Sequence, residues 1–155
     1  MKSFLKIASL VGLLLAFDQL TKAFSERFLG FYEPSTIIPH LLTFQLVHNY
    51  GAAYGIFHNQ RLFLAGFGVL VFCICAFGWR YWATSRASYI GLVALMAGTL
   101  GNTLDRLFRG YVVDFIYLNP FPFFNVFNVA DVLIDIGILA FLIDFVLSSS
   151  AKKSS

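Results

Sequence analysis

Two carboxylates in this chain stand where apolar neighbours keep water scarce: Asp114 in Val112-Val113-Asp114-Phe115-Ile116, and Asp131 in Phe127-Asn128-Val129-Ala130-Asp131. Carboxylates that share a confined site do not both ionise readily, so one pKa rises and the pair holds a single proton. Such a pair activates water. The ionised member takes a proton from a water that attacks a carbonyl, while the protonated member polarises that carbonyl or protonates the leaving amine. Around them, in an otherwise greasy stretch from Ala97 to Asp131, lie Asn102, Asp105, Arg106 and Asn128. Asn102 and Arg106 are four residues apart and share a helix face; Asn128 and Asp131, three apart, do the same. Arg106 suits a carboxylate or a backbone carbonyl, and Asp105 reads as a neighbour that neutralises or orients. Ionisable groups at membrane depth are functional-site candidates by default. The plainer alternative is a set of helix-end caps and interfacial ion pairs.

Competing chemistries lack their residues. There is no His-Glu-x-x-His, no Gly-x-Ser-x-Gly and no phosphate-binding Walker loop. His40, His48 and His58 fall in one segment without ligand spacing and read as surface or hydrogen-bonding residues. Cys73 and Cys75 sit in an apolar run with no Cys or His at metal spacing, so they read as small core residues and not as a zinc site or disulfide. Neither a metal nor another cofactor is expected.

The elements that must position these residues are set by the composition. The 155 residues fit one domain, 1–155, and are 59% hydrophobic, 18% aromatic and only 12% charged, with mean hydropathy +0.77. That balance points to a bilayer. The net charge of +3 comes from basic residues scattered singly, which gives no stripe for nucleic acid. Phe4 to Phe17 falls short of the ~20 residues a helix needs to cross the hydrocarbon. The first span therefore extends to about Phe24 and takes in Asp18, Gln19 and Lys22, with Asp18 and Lys22 one turn apart on one face. Lys2 and Lys6 before the apolar run imitate a secretory signal, yet no small-x-small cleavage site follows, so an uncleaved span is expected.

Ser25 to Arg61, punctuated by Gly30, Pro34, Pro39 and Gly51, lies outside the membrane core, and Leu42, Phe44 and Leu46 alternate with Thr43, Gln45 and Val47 as in a half-buried strand. The small residues Ala52, Ala53 and Gly55 leave room for an extended peptide. Further spans cover 62–82, ending in the Trp79-Arg80-Tyr81-Trp82 belt, then 89–107, with Ala94, Ala97, Gly98 and Gly101 allowing close helix approach, and 129–147. The expected architecture is membrane all-α: four transmembrane helices at about 4–24, 62–82, 89–107 and 129–147, with a small extracytoplasmic β-containing segment. Cytoplasmic termini put Lys2, Lys6, Arg80, Arg86, Lys152 and Lys153 inside, against Lys22, Arg27, Arg61, Arg106 and Arg109 outside. The charge count alone barely favours that orientation. More telling is that Asp18, Asn49, Asn102, Arg106, Asp114, Asn128 and Asp131 then all gather at the outer face, with Asp144 left near the inner end.

Five phrases in order resemble a known family: Asp18-Gln19-Leu20-Thr21-Lys22, Asn49-Tyr50-Gly51-Ala52-Ala53-Tyr54-Gly55, Gly101-Asn102-Thr103-Leu104-Asp105-Arg106, Val112-Val113-Asp114-Phe115-Ile116 and Phe127-Asn128-Val129-Ala130-Asp131. They are similar to the motifs of lipoprotein signal peptidase, signal peptidase II. The resemblance implies a bacterial inner-membrane aspartic endopeptidase that cuts the signal peptide from prolipoproteins before a diacylglyceryl-modified cysteine. By position it implies a catalytic dyad of Asp114 and Asp131; Asn49, Asn102, Arg106 and Asn128 lining the site; and Asp18 and Lys22 in a structural motif. It implies lipidated prolipoproteins and membrane lipid as partners, no nucleic acid, and a monomer. Tyr50 stands where the family often has proline, Thr99 where it has a small residue, and Val132 where it has serine; these touch substrate preference more than mechanism. The alternative is a small non-enzymatic multi-span protein whose polar cluster is an ion path or helix glue, but here the polar residues crowd one face and do not line a path.

Overall fold

The computed structural model describes residues 2–52, 56–120 and 126–153. In chain order these form α1 (Lys2–Phe28), β1 (Ser35–Ile38), β2 (Leu42–Asn49), α2 (Arg61–Phe77), a short α3 (Trp79–Trp82), α4 (Arg86–Leu104), one π-helical turn (Asp105–Arg109), β3 (Val112–Leu118) and α5 (Val129–Lys153). Ala53, Tyr54 and Gly55 of the second motif lie outside the described residues.

The molecule is built round α4, which packs against α1, α2 and α5. Its small residues make that possible. A Cβ on Gly98 would collide with the Ala130 carbonyl, and one on Gly101 would collide with the Asp18 carboxylate and approach Ala130 Cβ to 3.1 Å. Helices without a hydrophobic driving force between them associate through such close backbone contact. Among the described residues two stretches are long and apolar enough to cross a membrane, Phe4–Phe28 and Arg86–Arg109. The first is 17% buried and the second 67%, so α1 lies at the periphery and α4 at the centre. On α1, Ile7, Val11, Asp18, Lys22 and Ser25 share the buried face while Leu13, Phe17, Leu20, Phe24 and Phe28 look outward, the spacing of a helix with one protein-facing stripe.

The observed bounds depart from the expected ones for identifiable reasons. The second expected span, 62–82, is divided: α2 stops at Phe77, the backbone turns at Gly78, and α3 carries the Trp79-Arg80-Tyr81-Trp82 belt. The helix expected from Tyr89 starts at Arg86, because Ser85 and Ser88 form a reciprocal capping box, with the Ser88 amide donating to Ser85 Oγ at 3.0 Å and the Ser85 amide to Ser88 Oγ at 2.9 Å. At its other end α4 widens into the π-helical turn and stops at Gly110, whose φ of 89° suits glycine. α5 runs past 147 to Lys153.

The sheet is antiparallel in the order β1-β2-β3. The alternation expected for 42–47 does not hold, because Thr43 and Leu46 are the buried positions. Between Phe44↔Ile116 and Val47↔Asp114 the pairing advances three residues on β2 and two on β3, a bulge that reverses the facing of the strand. Thr43, turned inward, donates its hydroxyl to Asn119 Oδ1 at 3.0 Å. Beyond the bulge Val47 lies opposite Asp114 and Asn49 opposite Val112. A further bridge joins Ile116 to Phe127, which brings Asn128 and the start of α5 against β3.

Candidate active site

Asp114 is carried by β3 and Asp131 by the first turn of α5, and three asparagines tie them into one network. Asn49 Nδ2 donates to Asp114 Oδ2 at 2.9 Å, and Asn128 Nδ2 donates to Asp114 Oδ1 at 2.6 Å. Asn102 Nδ2 donates to Asp131 Oδ1 at 2.7 Å, and the Asn128 backbone amide to Asp131 Oδ2 at 3.1 Å. All four carboxylate oxygens therefore accept.

The orientation of each amide is dictated by a group that can only donate. Gly51 N–H points at Asn49 Oδ1 (2.9 Å), Asp131 N–H at Asn128 Oδ1 (3.0 Å), and the Lys22 ammonium at Asn102 Oδ1 (3.0 Å). Each carbonyl oxygen is thus committed, and each NH₂ is turned toward Asp114 or Asp131. Asn128 and Asp131 also form a reciprocal pair, side chain to amide in both directions, at the start of α5. That is the geometry of a capping box, so the helix start itself fixes the position of Asp131. The capping alternative raised by the sequence is correct for these residues, and it coexists with their place in the site.

Asp114 is 2% exposed. Burial, then the neighbouring charge of Asp131, pushes its carboxyl up to about 7, against the lowering effect of the amides of Asn49 and Asn128. A carboxyl in that range keeps a proton at near-neutral pH. Arg106 donates to the Gly51 carbonyl at 3.0 Å and to its own helix at Asn102 O at 3.3 Å, so it clamps the turn after β2 onto α4. A cleft of about 330 Å³ reaches Asp114 between His48, Asn49, Tyr50, Ala52, His58 and Val126. His48 stacks on Tyr111 with centroids 3.8 Å apart, and burial holds its imidazole below the usual range despite Glu26.

Asp18 and Lys22 lie beneath this site, both fully buried. Lys22 Nζ contacts Asp18 Oδ2 at 3.0 Å, Asp105 Oδ2 at 2.9 Å and Asn102 Oδ1 at 3.0 Å, which uses all three of its donors. Asp18 Oδ1 accepts the Ala130 amide of α5 at 2.8 Å, satisfying one of the free N–H groups at that helix start. Asp18 and Lys22 thus bolt α1 to α4 and α5. Asp105 neutralises Lys22 and Arg109, not the adjacent Arg106. Sequence reasoning missed Gln19, which donates to Asp105 Oδ1 at 3.2 Å and accepts from Arg109 at 2.8 Å, and Glu26, which holds Arg109 and Tyr111. Their spacing along α1 with Lys22, at three and four residues, was the available signal.

Removing one member of a buried ion network costs about 3–5 kcal/mol, because the remaining charge is left without its partner. Asp18→Ala is therefore expected to lower the thermal midpoint of the detergent-solubilised protein sharply. An unchanged midpoint would show that Lys22 and the α5 start do not depend on it.

The family model for Signal peptidase (SPase) II matches residues 10–147. The chain belongs to the signal peptidase II family. The lipoprotein signal peptidase of Caulobacter vibrioides is 37% identical over 143 residues, 88% of this chain and 84% of that relative. That of Sinorhizobium fredii is 33% identical over 153 residues, 97% and 92% of the two chains. That of Streptococcus agalactiae is 34% identical over 137 residues, 84% and 85%. Among solved structures, a bacterial membrane enzyme determined by the in meso method at 2.3 Å superposes with a TM-score of 0.89 at 29% identity, covering 97% of this chain and 93% of that one. A second, at 1.9 Å, gives 0.77 at 29% identity, covering 90% and 92%. As a signal peptidase II, the chain is a membrane-embedded hydrolase of the lipoprotein-processing class.

Proposed function

We propose that this signal peptidase II is a single-domain, monomeric aspartic endopeptidase of the bacterial inner membrane, cutting prolipoproteins just before a diacylglyceryl-modified cysteine. The observation that carries the catalytic assignment is the convergence of Asp114 and Asp131 on one set of committed amide donors beneath a cleft. Asp131 at the start of α5, where the helix N-terminus favours negative charge, is the base; Asp114 holds the proton. Asp131 takes a proton from water as its oxygen bonds to the scissile carbonyl carbon, and the Asp114 proton passes to the carbonyl oxygen. When the C–N bond breaks, the proton held by Asp131 goes to the departing amine and one diol proton returns to Asp114, so the dyad is restored. Asn49, Asn102 and Asn128 hold the carboxylates, and Arg106 holds the turn at Gly51 that borders the cleft.

In this reading the chain crosses the membrane four times, by α1, α2 with α3, α4 and α5. Both termini are cytoplasmic, and the sheet and dyad lie on the extracytoplasmic side. Lys2 and Lys6 at the start and Lys152 and Lys153 at the end support that orientation. The three-stranded sheet lies at the same end of the helices as the dyad, because β3 carries Asp114 itself. A reporter active only outside the cytoplasm is expected to be silent when fused after Ser150 and active when inserted beside Pro34. The reverse pattern would turn the whole site over.

A further inference from the structure

The network beneath the dyad has an asymmetry that packing alone does not require. Lys22 is the fully buried cation behind the site, and each of its two carboxylate partners is shared with another donor. Asp18 also accepts the Ala130 amide, and Asp105 also accepts from Arg109, Gln19 and the Val113 amide. The third N–H of Lys22 goes to Asn102 Oδ1, whose amide nitrogen donates to Asp131 Oδ1 at 2.7 Å. The same Asn102 oxygen is 3.3 Å from Asn128 Nδ2, which donates to Asp114 at 2.6 Å. The cation thus backs the donor to Asp131, while Asn128 Nδ2, the donor to Asp114, shares the same Asn102 acceptor.

We infer that Lys22 is a positioning residue for hydrolysis: through Asn102 it presents a fixed, polarised amide to Asp131 and sets the pH range in which the dyad carries one proton. The inference rests on the assignment of Asp114 and Asp131 as the dyad. A hydrogen bond to the oxygen of an amide strengthens that amide as a donor, and a cation loading the oxygen does so more strongly than a neutral group. Without the ammonium, only the longer 3.3 Å contact from Asn128 Nδ2 holds the Asn102 oxygen, and the side chain is freer to turn that oxygen toward Asp131. That arrangement repels the ionised carboxylate and favours its protonated form. The positive charge itself acts in the same direction on both carboxylates. Lys22 therefore keeps Asp131 able to accept a proton from water at lower pH than it otherwise would.

The other charged and titratable groups around the dyad are Asp18 on α1; Asp105, Arg106 and Arg109 on the π-helical turn; His48 on β2, with Tyr32, Tyr50 and His58 lining the same cleft; and Asp135 one turn further along α5. Asp105 opposes Lys22, so its neutralisation should leave the cation's field stronger. The two changes are expected to act with opposite sign, a pattern that a merely structural role for the cluster does not produce.

The test is the pH dependence of kcat/KM on a lipidated prolipoprotein, with the full-length protein in vesicles. His48 and His58 line the same cleft, so both are replaced by glutamine in the background and each shift is read within it. Lys22→Met is expected to move the acid limb of the profile up by about one pH unit, a tenfold loss on the acid side that is recovered at higher pH. Asp105→Asn is expected to move it down. An acid limb that stays in place in folded Lys22→Met protein, whatever its overall rate, overturns the inference. If Lys22→Met does not fold, Asp105→Asn decides alone: a downward shift supports the inference and an unmoved limb overturns it. Asp131→Asn is run alongside. Retained activity in that variant would refute the dyad itself, a failure distinct from an unmoved limb with the dyad intact.

Discussion

Asp114→Asn and Asp131→Asn are each expected to lower cleavage by about 10²-fold or more, the usual effect of removing a positioned acid or base, while the protein stays folded. Asparagine keeps the size of the side chain but has one acceptor oxygen where aspartate has two. At either position it satisfies one of the two facing N–H groups and leaves the other unpaired: Asn49 or Asn128 at 114, Asn102 or the Asn128 amide at 131. An unsatisfied buried group costs about 1–3 kcal/mol, less than the 5–15 kcal/mol that typically separates folded from unfolded protein. Activity should therefore vanish from folded protein. The wild-type profile should also fall on the alkaline side as pH rises through about 7, where buried Asp114 loses the proton it gives to the carbonyl oxygen. Activity measured on purified, monodisperse variants checks both points; near-normal turnover in either variant removes that carboxylate from the mechanism.

The second large effect is dependence on the substrate's lipid. Asp114 and Asp131 sit at one end of a bundle whose outer helix faces are apolar: Leu13, Phe17, Leu20, Phe24 and Phe28 of α1 are all exposed on the described surface. A signal helix approaching sideways through the bilayer would keep its diacylglyceryl chains in lipid, and each buried CH₂ adds about 0.8 kcal/mol to membrane affinity. Two chains therefore fix the depth of the adjoining peptide bond. A scissile bond misplaced by ~1 Å can cost about 10²-fold, so loss of the lipid is expected to lower the rate by about that factor even when the peptide still enters the cleft over Asp114.

Much of the site was legible in the sequence because its chemistry is local. Asn102 with Arg106, and Asn128 with Asp131, share helix faces by spacing alone; in the structure Asn102 donates to Asp131 and Asn128 to Asp114, while Arg106 reaches the Gly51 carbonyl. Asn49 required the sheet. Its contact with Asp114 spans 65 residues and depends on the bulge in β2, which no alternation pattern announces. β3 itself was not read as a strand: Val112-Val113-Asp114-Phe115-Ile116-Tyr117-Leu118 is rich in β-branched and aromatic residues, but a short run without alternation does not separate a buried strand from a helix segment. The ion network round Lys22 was half legible, since Asp18 lies one turn away, whereas Asp105 joins it across 83 residues of chain through helix packing. The break at Gly78 was hidden for a different reason: Gly78 is one glycine in a continuous apolar run, and a lone glycine is tolerated within a helix.

The most direct test of the central claim is the intact mass of the product released from two prolipoproteins that differ only in cysteine lipidation, incubated in the same vesicles with wild-type, Asp114→Asn and Asp131→Asn protein. A product beginning at the lipidated cysteine, made by wild type alone and about 10²-fold more slowly or not at all from the unlipidated substrate, is the expected result. Equal rates on the two substrates, or the same product from either variant, would contradict it.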